Sequence, residues 1–268
     1  MTHLQESLPI VVGIDGSGAA VAAARWAVDE AIIRDVPLQL VHATDVDTDA
    51  GGPGEDFTLY IRRAEPLLRA ADEAVTATGK TVKVETAVVG AGPRVGLLTK
   101  SRHAAMVCVG SGGVGRAGRA LEGSTAAALA NAAFCPVAII RADMTTANRV
   151  GWIVVSVGDS PECDVVVEHA FSEAALRGAP LLALEIRPCL HRDGKFDQLL
   201  QPWRHRYPDV RVQSAAAPEG LGEFVSTSKE PIQLAVIGGA DASGLLRFVD
   251  QHAQPSIFDH CSVLVVRI

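Results

Sequence analysis

Apolar residues in this chain gather in short runs separated by longer stretches of helical character. Runs near 10–14, 38–43, 82–88, 105–109 and 137–141 are rich in Val, Ile, Leu and Ala and predict strands buried on both faces. An Ala-rich segment carrying Trp26, Val28, Ile32 and Ile33 follows the first run and predicts a helix with Ser17 as its N-cap. Helix-forming sequence from about 56 to 78 ends at Gly79, a stop signal, and Pro93 suits the first turn of a further helix that ends before Ser101. This strand–helix alternation predicts a parallel sheet with both faces covered, and right-handed crossovers make it a doubly wound α/β unit. Ligands of such sheets lie beyond the carboxyl ends of the strands, where Asp15 and Gly110 both stand.

The pattern then repeats. Val11-Val12-Gly13-Ile14-Asp15-Gly16-Ser17 returns 143 residues later as Val154-Val155-Ser156-Val157-Gly158-Asp159-Ser160. At the same offset Ala27 meets Ala170, Ala31 meets Ala174, Arg34 meets Arg177, and Pro37-Leu38 meets Pro180-Leu181. Val107-Cys108-Val109-Gly110 returns as Ala235-Val236-Ile237-Gly238, and Cys135 through Arg141 as Cys261 through Arg267. Two tandem five-stranded units are expected, residues 1–145 and 146–268, the second shortened mostly at the acidic, glycine-rich segment Thr44 to Gly54.

With 268 residues, 48% of them hydrophobic, the chain can bury one large core or two of ordinary size. The beginning of the chain lacks a basic and apolar leader pattern, and no apolar run reaches eighteen residues, so no membrane partner and a cytoplasmic address are expected. A net charge of -7 argues against a nucleic-acid surface. Five widely spaced cysteines form no zinc-type pattern and read as buried thiols, so no metal site is expected.

One loop carries the candidate chemistry. Gly110-Ser111-Gly112-Gly113 directly follows the fourth strand run, and Gly123-Ser124-Thr125 comes nine residues further on, where the next helix should open. Glycines let main-chain N–H groups approach an anion, and a helix start adds free N–H donors and a hydroxyl, so the loop suits phosphates. Asp15, at the neighbouring strand end, can accept hydrogen bonds from a base or ribose. It equally suits a plain structural role at the positive end of the helix dipole.

Gly110-x2-Gly113-x9-Gly123-Ser124, together with Val12-Gly13-Ile14-Asp15-Gly16-Ser17 and Cys135-Pro136-Val137, resembles the universal stress protein family, in those members that bind ATP. The resemblance covers nearly the whole chain as two copies. It implies Gly13, Ile14 and Asp15 at the base and ribose, and Ala43 as a main-chain contact to adenine. It also implies a phosphate loop of Val109, Gly110, Ser111, Gly112, Gly113, Val114, Gly115, Gly123 and Ser124, with Arg116 and Thr125 at its margin. Mg²⁺ would ride on the phosphates. Further implications are pairing of the two halves as a pseudo-dimer and a protein partner that reads the nucleotide state, with association of two chains as a homodimer left open. The second copy departs from the pattern: Gly158 replaces Asp15, with Asp159 next to it, Asp241 replaces Gly113, and Val249-Asp250 replaces Gly123-Ser124. A carboxylate facing phosphates is repulsive, so nucleotide binding is expected in the first copy and lost in the second.

Gly110-Ser111-Gly112-Gly113-Val114-Gly115 also satisfies the dinucleotide pattern G-x-G-x-x-G, but it follows the fourth strand instead of the first. No lysine-bearing Walker loop, nucleophile elbow or histidine pair of metalloprotease type occurs. The expectation is a nucleotide-dependent regulatory protein in stress or growth control. A slow ATPase or phosphotransferase and a nucleotide-free dimerisation scaffold are the alternatives. His42, Trp26, Trp152 and Trp203 read as structural residues.

Overall fold

The computed structural model describes residues 7–44, 55–111, 125–142, 151–158, 162–186, 195–242 and 261–267. The chain divides into two compact units, Met1–Thr145 and Thr146–Ile268.

In the first unit the elements run β1 (Ile10–Gly13), α1 (Gly18–Arg34), β2 (Leu38–Ala43), α2 (Glu55–Thr76), β3 (Val84–Val89), α3 (Pro93–Lys100), β4 (Met106–Gly110), α4 (Thr125–Ala132) and β5 (Val137–Ile140). All the strand pairs described in it are parallel. Ile10 stands opposite both Leu38 and Met106, Leu38 opposite Val84, and Val107 opposite Val137, giving the order β3-β2-β1-β4-β5. The order reverses between β1 and β4, which is the topological switch point where doubly wound sheets open a ligand crevice. Ile10, Val11, Val12, Leu38, Leu40, Val107 and Cys108 are fully buried. Each such aliphatic side chain contributes roughly 1.5–3 kcal/mol by leaving water.

The second unit runs β6 (Trp152–Val157), α5 (Cys163–Arg177), β7 (Leu181–Glu185), α6 (Lys195–Arg206), β8 (Val212–Ala216), α7 (Leu221–Thr227), β9 (Ile232–Gly238) and β10 (Ser262–Val266). Its strands are also parallel, with Ile153 opposite Leu181, Leu181 opposite Val212, Val154 opposite Ala235 and Val263 opposite Ala235. The order β8-β7-β6-β9-β10 places its switch point between β6 and β9.

Helix α1 begins as the sequence predicts, with the Ser17 hydroxyl oxygen accepting from the Ala20 N–H at 3.1 Å. Its buried face differs from the one its larger apolar residues suggest. Ile32 and Ile33 are exposed, and the buried apolar residues are Val28 with Ala19, Ala20, Ala22, Ala23, Ala24, Ala27 and Ala31. Most of the buried positions of the helix are alanines, which suits a close approach to the strands. Pro93 stands in the first turn of α3, and Gly79 takes a φ of 70° after α2.

Both first-crossover helices end alike. Buried Glu30 pairs with Arg34 in α1, and buried Glu173 pairs with Arg177 at 2.8 Å in α5. Each arginine also places its positive charge in the last turn, where the helix dipole favours it.

Candidate functional site

At the first switch point two glycines let neighbouring elements approach closely. A Cβ added to Gly110 would lie 2.6 Å from the Ala19 carbonyl carbon and 2.7 Å from the Ala20 nitrogen, so the end of β4 rests on the first turn of α1. A Cβ on Gly13 would lie 2.8 Å from Leu97 Cδ1 and 3.2 Å from Val109 Cγ1. Only glycine permits these approaches without moving the helix or the covering leucine. The positive end of α1 is thereby held against the carboxyl end of β4, an arrangement suited to an anionic ligand.

The turn between β1 and α1 is fixed by its own hydrogen bonds. Buried Ile14 donates its N–H to the Val41 carbonyl at 2.8 Å. Asp15 is exposed, and its Oδ1 accepts the Ser17 N–H at 2.9 Å. Gly16 follows with φ 85°, a conformation that a side chain strains. The Asp15 carboxylate therefore has a structural task as well as an exposed position, and an ionised carboxylate can accept several further donors.

Of the residues the sequence singles out, Gly13, Ile14, Asp15, Val109, Gly110 and Ser111 stand at the carboxyl ends of β1 and β4. The Ser111 N–H donates to the Ile140 carbonyl at 2.9 Å, carrying the β4–β5 ladder one step past β4. Ala43 ends β2 and touches α3 where a Cβ on Gly96 would stand, at 3.2 Å. Thr125 is the first residue of α4. Gly112, Gly113, Val114, Gly115, Arg116, Gly123 and Ser124 lie outside the described residues.

The second switch point is built differently. Ser156 occupies the place of Gly13 in the repeat and donates its hydroxyl to Asp241 Oδ2 at 3.2 Å, linking the ends of β6 and β9. A Cβ on Gly238 would meet Glu162 Oε2 at 3.3 Å, and one on Gly239 would meet the Arg267 guanidinium at 3.5 Å. Buried Glu185 stands where the first unit has His42. Asp241 and Glu162 thus stand beside Ser156 and Gly238, the counterparts of Gly13 and Gly110.

Residues 7–141 match the universal stress protein family. Universal stress protein Rv2624c of Mycobacterium tuberculosis (strain H37Rv) is 46% identical over 264 residues, which is 96% of each chain. The chain belongs to the universal stress protein family. Universal stress protein Rv3134c of the same organism is 39% identical over 280 residues, covering 100% of this chain and 98% of its own. Among solved structures, a universal stress protein from Archaeoglobus fulgidus DSM 4304 aligns with a TM-score of 0.70, covering 97% of this chain and 96% of that one. At 14% identity the likeness is one of fold.

Among the described residues Cys108, Cys135, Cys163 and Cys261 are buried free thiols. Burial pushes the Cys135 thiol up to about 12, a shift partly offset by a hydrogen bond to the Val107 main chain, so it supplies no nucleophile near neutral pH. No group of His, Cys, Asp and Glu able to hold a metal occurs among the described residues. No described helix is long and apolar enough to cross a membrane. At the opposite, amino ends of the strands, an open cavity of about 770 Å³ is lined by residues including Leu8, Pro37, Val82, Lys83 and His103. Its lysine is engaged with Glu85 at 2.7 Å. His42, read from the sequence as structural, bonds through Nδ1 to the Ile14 carbonyl at 2.7 Å, beside the candidate site. A histidine at a strand end gives no sequence signal for such a bond.

Proposed function

We propose that the first unit binds ATP at the β1–β4 switch point and acts as a nucleotide-dependent regulatory element, while the second unit has lost that capacity. The observation that carries this reading is the contrast between the two crevices. In the first, the close approaches are to apolar side chains and main chain, Leu97 and Val109 at Gly13 and Ala19 and Ala20 at Gly110, whereas in the second Ser156 bonds to Asp241 and Gly238 faces Glu162. Asp15, with the main chain at Gly13 and Ile14, would take the base and ribose, and Ala43 would add a main-chain contact. The glycine loop from Gly110 through Gly115, with Gly123, Ser124 and Thr125, would receive the phosphates and their Mg²⁺, with Arg116 at its margin.

ATP would act by population shift: bound nucleotide favours one arrangement of the loop, and a protein partner distinguishes that surface from the empty one. No lysine-bearing phosphate loop is present, so binding without rapid hydrolysis is the favoured reading. Equilibrium dialysis of the full chain against MgATP tests it, with Asp15→Ala as the comparison and a phosphate-release assay alongside. Saturable uptake that falls at least about tenfold in Asp15→Ala, with phosphate release at background, is the expected result. Equal uptake by both proteins would remove Asp15 from the site, and sustained phosphate release would replace the switch with a slow ATPase.

A further inference from the structure

Ile14 is the last residue before the β1–α1 turn, and both of its main-chain groups are tied to successive residues of β2. Its N–H donates to the Val41 carbonyl at 2.8 Å, and its carbonyl lies 2.7 Å from His42 Nδ1. A carbonyl only accepts, so Nδ1 carries the hydrogen and the tautomer is fixed. The peptide unit is planar and trans, so drawing the Ile14 oxygen toward β2 aims the Asp15 N–H to the opposite side, where β1 meets β4. From there the hydrogen bonds continue into the helix: Asp15 Oδ1 takes the Ser17 N–H, and Ser17 Oγ takes the Ala20 N–H.

We propose that His42 is a positioning residue of the nucleotide site: its Nδ1–H orients the Ile14–Asp15 peptide and so sets how Asp15 is presented at the switch point. The inference rests on the nucleotide reading above. The second unit is the internal contrast. Glu185 stands 143 residues after His42, so the imidazole donor is not repeated there. The Val157 carbonyl there accepts from the Ile186 N–H at a long 3.5 Å. The donor at His42 and the carboxylate at Asp15 are both absent from the same unit, as expected if the two serve one site.

The test uses the full chain and three proteins: the wild type, His42→Asn, whose amide nitrogen takes the Nδ1 position, and His42→Gln, whose amide nitrogen reaches the Nε2 position instead. MgATP affinity is measured by calorimetry, and amide hydrogen exchange is measured without nucleotide. His42→Asn is expected to bind within about threefold of the wild type, and His42→Gln about tenfold more weakly. In His42→Gln alone, the amides of residues 15–20 should exchange about tenfold faster while those of β5 keep their rate. Faster exchange throughout the unit would mark a general stabilising role and overturn the proposal, as would wild-type affinity and exchange in His42→Gln. If the wild type takes up no ATP, the nucleotide reading fails. The exchange comparison then judges the orientation of the turn by itself.

Discussion

A Cβ on Gly110 would stand 2.7 Å from the Cβ of Ala19, closer than side-chain carbons approach. The contact joins the end of β4 to the first turn of α1, and the first switch point depends on it. Gly110→Ala is expected to destabilise the first unit by about 2 kcal/mol, the cost of overpacking against main chain, and to abolish ATP uptake. Urea unfolding and dialysis check both. Gly158→Ala is the control, because a Cβ there meets nothing within 4 Å, and it should change stability by less than about 0.5 kcal/mol.

The Ser17 hydroxyl caps α1 beside the same crevice. Ser17→Ala should cost about 1 kcal/mol, and Ser17→Asp should recover most of it, since Asp accepts the same N–H. Thermal unfolding of the three proteins decides the matter.

Glu30 and Glu173 are buried, each beside an arginine one helical turn on. Arg34→Met and Arg177→Met are each expected to destabilise by about 3 kcal/mol, because burying a carboxylate without its cation costs more than the pair itself contributes. Denaturant unfolding of both variants should show losses of similar size. A neutral result in either would mean that the glutamate there is held by other groups.

Cys135 should resist modification. Its folded-state thiol is raised from 9.0 to about 12 by burial, so the native protein binds this proton more tightly than the unfolded chain does. The resulting stability is fully present below pH 9.0 and is lost as pH rises from there toward about 12. Thermal unfolding from about pH 8 to pH 11 should show the midpoint falling, with less of a fall in Cys135→Ala. A thiol reagent at about pH 8 should label Cys135 only after denaturation.

Much of the fold was legible in the sequence because its signals are local. Alternating apolar runs mark the strands, Ser17 caps α1, Pro93 opens α3 and Gly79 closes the turn after α2. The class of sheet followed from that alternation. What was not legible depends on contacts between distant residues. Ile32 and Ile33 are the largest aliphatic residues near the end of α1, yet they are exposed, and the helix packs mainly through its alanines and Val28. Gly110 was conspicuous as a loop glycine, but its steric reason is Ala19, far away in the chain. His42 looked structural because nothing in its neighbourhood along the chain names Ile14 as its partner. The substitutions in the second unit were visible as letters, whereas the hydrogen bond that Ser156 makes with Asp241 needed the fold.

The two crevices imply one working nucleotide site in the first unit and none in the second. The most direct measurement is to purify the full chain, denature it, and identify and count any released nucleotide by chromatography and mass, repeating after incubation with MgATP. About one ATP per chain is expected, lost in Gly110→Ala. Two per chain, or none even after incubation, would contradict it.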